Sequence, residues 1–564
     1  MEELTKAQKA RLAIRIFKTT ADALALRGSY KPTGKSGQAL AESLKMLSPE
    51  IYGTMDHHRI IELKGLEYVI DRLPRGIESC TRIILTAEED LENTSFEKIE
   101  PLKRRRTSYC VSDKEMCFVI TKGLSEIYDI LTHITFINIE AEKIRNQIKD
   151  RDGSITPEWK KLEQSISGES ELAGSELDQA LWNLSIILGR TYQETRETYN
   201  YLEKNRKEEN SNRGLFKIIH SLGKRVEEEE KSKDNMLLIY FTPSLRDIIG
   251  HHKHGRRWAC DVKEKLFALG FQDRPIHIIS ANLHSVMNVL YGYAAVDICR
   301  REENGRDIYS FFKEISEYAD KVRDYAGNHG FYELPDRSGT QIDCQIIDTS
   351  MLNVQMHPAV SIDLAEAETE TEKPVLLVMD YAFGNQAFEV MDELLSPFER
   401  DNSSFMFNIR SISVMGKAGI LPGKKGDIML ATAHVLEGTT DNYIVNNELA
   451  KEDFDKSADV YTGPMVTVLG TSLQNRDVLE RFQNTSWKAV GLEMEGGHYH
   501  RAISAAITRK HISGDIKIRY AYYASDNPLI SGQTLASGSM GNEGIRPTYM
   551  ITKVILEKIL KLET

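Results

Sequence analysis

The chain has 564 residues, 41% of them hydrophobic and 8% aromatic, which is more than one hydrophobic core usually supports, so two or more domains are expected. A formal net charge of -12 argues against a nonspecific nucleic-acid binder, because no global positive field exists to attract phosphates and only a local patch could. Six cysteines, at 80, 110, 117, 260, 299 and 344, lack CxxC spacing, and no apolar run approaches the ~18 residues of a membrane span, so neither a zinc site nor a disulfide framework nor a membrane anchor is expected. With a charged start, MEELTKAQKARLAIRIFK, the chain reads as a cytoplasmic protein without metal or cofactor.

Residues 5–27 place apolar positions at helical spacing and stop at Gly28, a helix C-terminus. GSYKPTGKSG follows; five residues separate Gly28 from Gly34 and no buried strand precedes them, so Gly34-Lys35-Ser36 is a turn and not a phosphate loop. Leu124, Ile127, Leu131 and Ile134, then Leu177, Leu181, Leu184 and Leu188, recur every three or four positions as core stripes of helices. Lys103–Arg106 reads as a solvated loop and His57-His58 as structural. The charged stretch 204–234 reads as a linker, which gives an all-α N-terminal domain over 1–232 and a second domain over 233–564.

Beyond it the texture becomes that of an α/β fold. MLLIYF (236–241) is a continuous apolar run feeding the turn Thr242-Pro243, with Arg246 placed to meet an anion at a helix N-terminus. PIHIISAN is a second strand, and residues 303–373 read as a surface excursion ending in acidic AEAETETEK. In PVLLVMDYAFGNQAFEVMDELL, Gly384 permits close backbone approach between strand and helix. SISVMGKAGILPGKKGDIMLATAHV supplies another glycine turn, Gly416-Lys417-Ala418-Gly419, before a strand opened by Asp427. Finally Gly491–Pro528 reads as strand, helix, strand, a parallel crossover that sets Glu495 and Asp526 together at the carboxyl edge of the sheet, where open α/β folds bind ligands.

Glu493-Met494-Glu495, followed by Ser525-Asp526-Asn527-Pro528-Leu529, resembles the paired signature of the nucleoside phosphorylase and nucleosidase superfamily, and is most similar to AMP nucleosidases. The resemblance covers about 236–564 and implies a mixed central sheet flanked by helices. It implies that Asp526 protonates the departing base and that Glu495 holds the ribose hydroxyls. Met494, Glu493, Ser525, Gly384, Gly416, Lys417 and Arg246 would complete the substrate site. Hexameric phosphorylases carry an anion-gripping Arg where Val414 stands here, and that departure favours water over phosphate as nucleophile.

The expected activity is therefore hydrolysis of the N-glycosidic bond of a purine nucleotide or nucleoside, a small-molecule partner, by a homo-oligomer. A phosphate-dependent phosphorylase and a non-catalytic nucleotide-binding regulator are the alternatives.

Overall fold

The structure is a computed structural model that describes residues 4–87, 90–167, 172–296, 307–352, 354–362, 373–530 and 540–560. The chain divides into two compact units. The first runs to His251 and includes Ser472–Val478; the second comprises His252–Thr471 and Leu479–Thr564.

The first unit opens with the helix Lys6–Arg27, started by a capping box between Thr5 and Gln8 and stopped at Gly28, whose φ of 92° suits glycine. This unit is not all-α. Its strands are β1 (Ser29–Tyr30), β2 (Arg82–Thr86), β3 (Glu97–Lys98), β4 (Thr107–Ser112), β5 (Glu115–Val119) and β6 (Leu238–Phe241), and they form one sheet in the order β1-β6-β2-β5-β4-β3. The run 236–241 therefore belongs here: β6 lies parallel to β2, with Ile83 opposite Ile239 and Leu85 opposite Phe241. Nor is 204–234 a linker. It holds the end of helix Tyr192–Glu209 and the helix Leu215–Lys231, whose Ile218, Ile219, Leu222 and Val226 are buried beneath a charged outer face. Both findings move the boundary from 232 to the 251/252 junction. Seven residues from much later in the chain complete the unit: Asn475 Nδ2 donates to the carbonyls of Leu47 (2.9 Å) and Ser48 (3.3 Å), and the Gln474 carbonyl accepts from Glu50 N at 2.9 Å.

The second unit is a mixed α/β layer structure. Its strands are β7 (Ile276–Ser280), β8 (Phe331–Leu334), β9 (Cys344–Asp348), β10 (Val375–Met379), a small hairpin of β11 (Phe398–Arg400) and β12 (Ser403–Phe405), β13 (Ile409–Ile420), β14 (Ile428–Leu436), β15 (Asn442–Ile444), β16 (Val460–Thr467), β17 (Gly491–Glu493) and β18 (Lys517–Asp526). All but the hairpin form one sheet, β15-β14-β16-β17-β13-β7-β10-β9-β8, and β18 bridges β13 and β14. The path β13-β18-β14-β16-β17 thus returns to β13 as a closed ring. Separate apolar clusters fill the two faces, one around Trp258, Leu377, Val390 and Ile503, the other around Leu290, Phe312, Met415 and Ile555. The expected surface excursion 303–373 instead contributes β8 and β9 to the sheet edge; its acidic run lies largely outside the described residues.

The two sheets repeat one arrangement. In the first, β6-β2-β5 are parallel neighbours and β4 and β3 continue antiparallel; in the second, β13-β7-β10 are parallel neighbours and β9 and β8 continue antiparallel, with the same order along the chain. A glycine with positive φ follows the matching strand in each, Gly123 (66°) after β5 and Gly384 (55°) after β10. In the first unit the adjacent N–H groups of Thr121 and Lys122 are taken by the Glu126 carboxylate, both at 3.1 Å. Among the described residues, the second unit alone adds the strands of the ring that carry Glu493 and Asp526.

Candidate active site

Gly419 of β13 is the point of convergence. It pairs with Leu492 of β17 on one side and with Asp526 of β18 on the other, so two strand spacings of ~4.8 Å, about 10 Å in all, separate the flanking chains. The parallel crossover expected for 491–528 is not what forms: β17 runs antiparallel to β13, whereas β18 runs parallel to it. A three-residue strand carries no directional signal of its own, and β17 takes its direction from β16, its parallel neighbour in the ring. Ring closure, not a crossover, brings the two segments together.

Asp526 is 1% exposed. Its Oδ1 accepts from Ser525 Oγ at 2.5 Å, while the buried Oδ2 has no hydrogen-bond partner among the described residues. Burial raises the carboxyl above its ordinary range, against the opposing effects of Ser525, Lys417 and Lys425. The register of β18 slips beside Ala418 and Gly419, leaving Ser525 as the extra residue with its Oγ 3.2 Å from the Ala418 carbonyl. Asn527 anchors the following turn by donating to the carbonyls of Leu421 (3.1 Å) and Gly423 (2.8 Å).

Glu495 is half-buried at the N-terminus of the helix Gly496–Thr508, and its Oε1 accepts the Gly384 N–H at 2.9 Å. Gly384 thereby ties the turn after β10 to the same place. Met494 is buried beside it. Glu493 faces the interior, where its carboxylate takes the N–H of Glu495 (2.6 Å), the N–H of Gly496 and the Thr467 hydroxyl (2.5 Å), so its oxygens are engaged by protein and not presented to a ligand. Gly416 sits on β13 opposite Tyr522; a methyl there would make only ordinary contacts with Tyr381 and Tyr522 at 3.9 Å, so close packing does not demand glycine. Lys417 is exposed and close enough to Asp526 to favour its anion. Arg246 is in the first unit, with its guanidinium against Gly28. An apolar strand before a turn does not say which sheet it joins, and β6, with the turn that carries Arg246, belongs to the first unit.

A cavity of about 410 Å³ opens beside Lys417, lined also by Asn282, His284, Asn288, Tyr523 and Thr548. Asn282 caps the helix Leu283–Ala295 by accepting from His284 N at 3.0 Å. Asn288 is 3% exposed; its Nδ2 donates to Tyr549 Oη at 2.8 Å, and its Oδ1 is buried without a partner among the described residues. Sequence reasoning missed these residues, although an Asn two positions after the strand IHIIS is a cap signal that fixes where the turn lies. No cluster of three or more metal-ligating side chains occurs among the described residues.

The sequence matches the family of unknown function DUF6909 over residues 38–304 and 305–561. The chain belongs to DUF6909. No match was found among curated proteins. Among solved structures, this DUF6909 chain is similar to a 5'-methylthioadenosine/S-adenosyl homocysteine nucleosidase of Campylobacter jejuni, at 10% identity and a TM-score of 0.31 over 51% of this chain and 100% of that one. Futalosine hydrolase of Helicobacter pylori gives 12%, 0.30, 51% and 99%, and uridine phosphorylase of Schistosoma mansoni gives 10%, 0.30, 53% and 91%. Superpositions at this level decide nothing about the chemistry of the DUF6909 chain.

Proposed function

We propose that the second unit hydrolyses the N-glycosidic bond of a purine nucleoside or nucleotide, in the manner of an AMP nucleosidase. The observation that carries this reading is Asp526: a buried carboxyl, raised in pKa, with one oxygen held by Ser525 and the other unpartnered among the described residues. Such a group holds its proton to higher pH than an ordinary Asp, and Oδ2 is the atom that delivers it to a leaving purine. Glu495, fixed by Gly384, accepts hydrogen bonds from the ribose hydroxyls and offsets positive charge developing on the sugar. Met494 packs against the sugar.

The cavity beside Lys417 receives the attacking water or a substrate's 5'-phosphate, with His284 as the proton acceptor for the water and Lys417 as the cation for the phosphate. Val414 is buried on β13 and supplies no charge for a second anion, which favours water as nucleophile.

Incubation with a panel of nucleosides and nucleotides, with and without inorganic phosphate, tests the reading through the sugar product. Free ribose or ribose 5-phosphate, formed independently of phosphate, is expected. Ribose 1-phosphate formed only with phosphate would make the protein a phosphorylase; binding without release of any base would make it a nucleotide-binding regulator.

A further inference from the structure

Beneath the candidate site lies a buried polar cluster that the chemistry above does not use. His434 of β14 is fully buried, with Nδ1 3.3 Å from Glu493 Oε1. Its ring lies edge-on to Tyr520 at 4.7 Å between centroids. Glu493 is itself 3% exposed, and a lone carboxylate at that depth would be costly. Burial drives its carboxyl upward, but His434, Thr467 and the Gly496 N–H outweigh that and hold it below the ordinary carboxylate range. It is therefore an acceptor-only anion near neutral pH, and His434 Nδ1 is the ring nitrogen that faces it.

That anion occupies the N-terminus of the helix that bears Glu495. Its oxygens take the N–H groups of Glu495 and Gly496, and Thr467 Oγ1, which donates to Glu493, accepts from Gly497 N at 3.1 Å. The N–H groups that open the helix Gly496–Thr508 are thus satisfied from inside the protein. The two glycines are what permit it. A methyl on Gly496 would collide with Tyr522 Oη and His434 Cε1, and one on Gly497 with Thr467 Oγ1 and Leu436. The helix start is drawn onto the cluster, and Glu495 is left facing the other way, toward Gly384.

We propose that His434 and Glu493 are positioning residues: together they pin the first turn of helix Gly496–Thr508, and with it Glu495, without touching substrate. The inference rests on the reading in which Glu495 holds the ribose, and it gives the first Glu of the Glu-Met-Glu run a different task from the second.

The test is amide hydrogen exchange over 494–498 in the full chain, which needs no ligand and no turnover. In His434→Phe, which keeps an aromatic ring and loses the donor, exchange there should quicken at least tenfold while Ile276–Ser280 and Val375–Met379 stay as in the wild type. His434→Gln, which keeps an N–H donor, should recover much of the protection. Should His434→Phe fail to fold, Glu493→Gln reads the same segment. Unchanged exchange at 494–498 in a folded variant overturns the proposal.

A second arm uses the kinetics of base release. His434→Phe should lower kcat/KM at least tenfold in the wild type but less than twofold in a Glu495→Gln background, because its effect passes through Glu495; additive losses mean a merely structural role. Quickened exchange in a protein that releases no base would sustain the positioning role and defeat the proposed reaction. Base release with unmoved exchange would do the reverse.

Discussion

Gly384 N–H and Glu495 Oε1 meet at 2.9 Å, across a stretch of chain that includes β13 to β17, half the strands of the sheet. The contact holds one oxygen of the Glu495 carboxylate and ties the side chain to the turn after β10. Glu495→Gln can keep the bond through its amide oxygen but loses the charge. Ribose substrates should therefore lose kcat/KM more than 2′-deoxyribose substrates, narrowing the preference between them by roughly 1.5–3 kcal/mol, the usual range for a hydrogen bond to a charged group. Competition between matched nucleoside pairs measures this, and an unchanged ratio removes Glu495 from the ribose.

Asp526→Asn should abolish base release, by about 10²–10⁴-fold, while ligand affinity is largely kept, because the amide holds the shape without donating the proton. The variant also has a stability signature. Burial raises the folded-state pKa, so the native protein binds more protons than the unfolded chain between the ordinary Asp value and the raised one, and stability falls as pH climbs through that window. The wild type should thus lose Tm relative to Asp526→Asn on going from acid to neutral pH, with the gap closing below the unfolded-state pKa. Parallel thermal melts of both proteins across pH check it.

Lys417, of the second unit, and Arg246, of the first, are alternative anchors for a substrate phosphate, and Lys417 lines the cavity. Lys417→Ala should raise KM for nucleotides by about 10–100-fold over its effect on nucleosides, the equivalent of losing a charged contact of roughly 1.5–3 kcal/mol. Arg246→Ala should leave both KM values within twofold of the wild type. Steady-state kinetics on a nucleoside and its monophosphate decides between them.

Phe241 ends β6, is fully buried and pairs with Leu85 of the first sheet. Phe241→Ala should destabilise the first unit by about 3–5 kcal/mol, the usual cost of emptying such a site. Hydrogen exchange should quicken in Arg82–Thr86 before it does in Ile409–Ile420, and the opposite order would return β6 to the second sheet.

Features set by neighbouring residues were legible in the sequence. The helix Lys6–Arg27 ends at Gly28 as read, and the stripe from Leu124 onward is the helix Gly123–Arg145. Glu495 and Asp526 were legible as residues at the ends of two strands, Glu495 two residues past β17 and Asp526 closing β18, although the crossover expected to join them does not form. Features decided by distant pairing were hidden. Strands of two to six residues, as in β1 to β5, are too short for a period of two to stand out among long helices, so the first sheet went unseen. The direction of β17 comes from its partner, and the interior role of Glu493 depends on His434, which lies in a different strand.

The seven residues Ser472–Val478 have a consequence for synthesis. A ribosome releases the chain from its N-terminus, and domains ordinarily fold in that order. Here the carbonyls of Leu47 and Ser48 wait for Asn475, and buried Leu473 and Val478 belong to the unit that began with the first helix. The first unit therefore stays unfinished while β7 to β16 emerge, and closes only when Val478 has left the exit tunnel. Translation that stops at His251 yields a unit lacking its last piece. A transcript that starts at His252 yields the converse, a loop whose apolar side chains have lost their core.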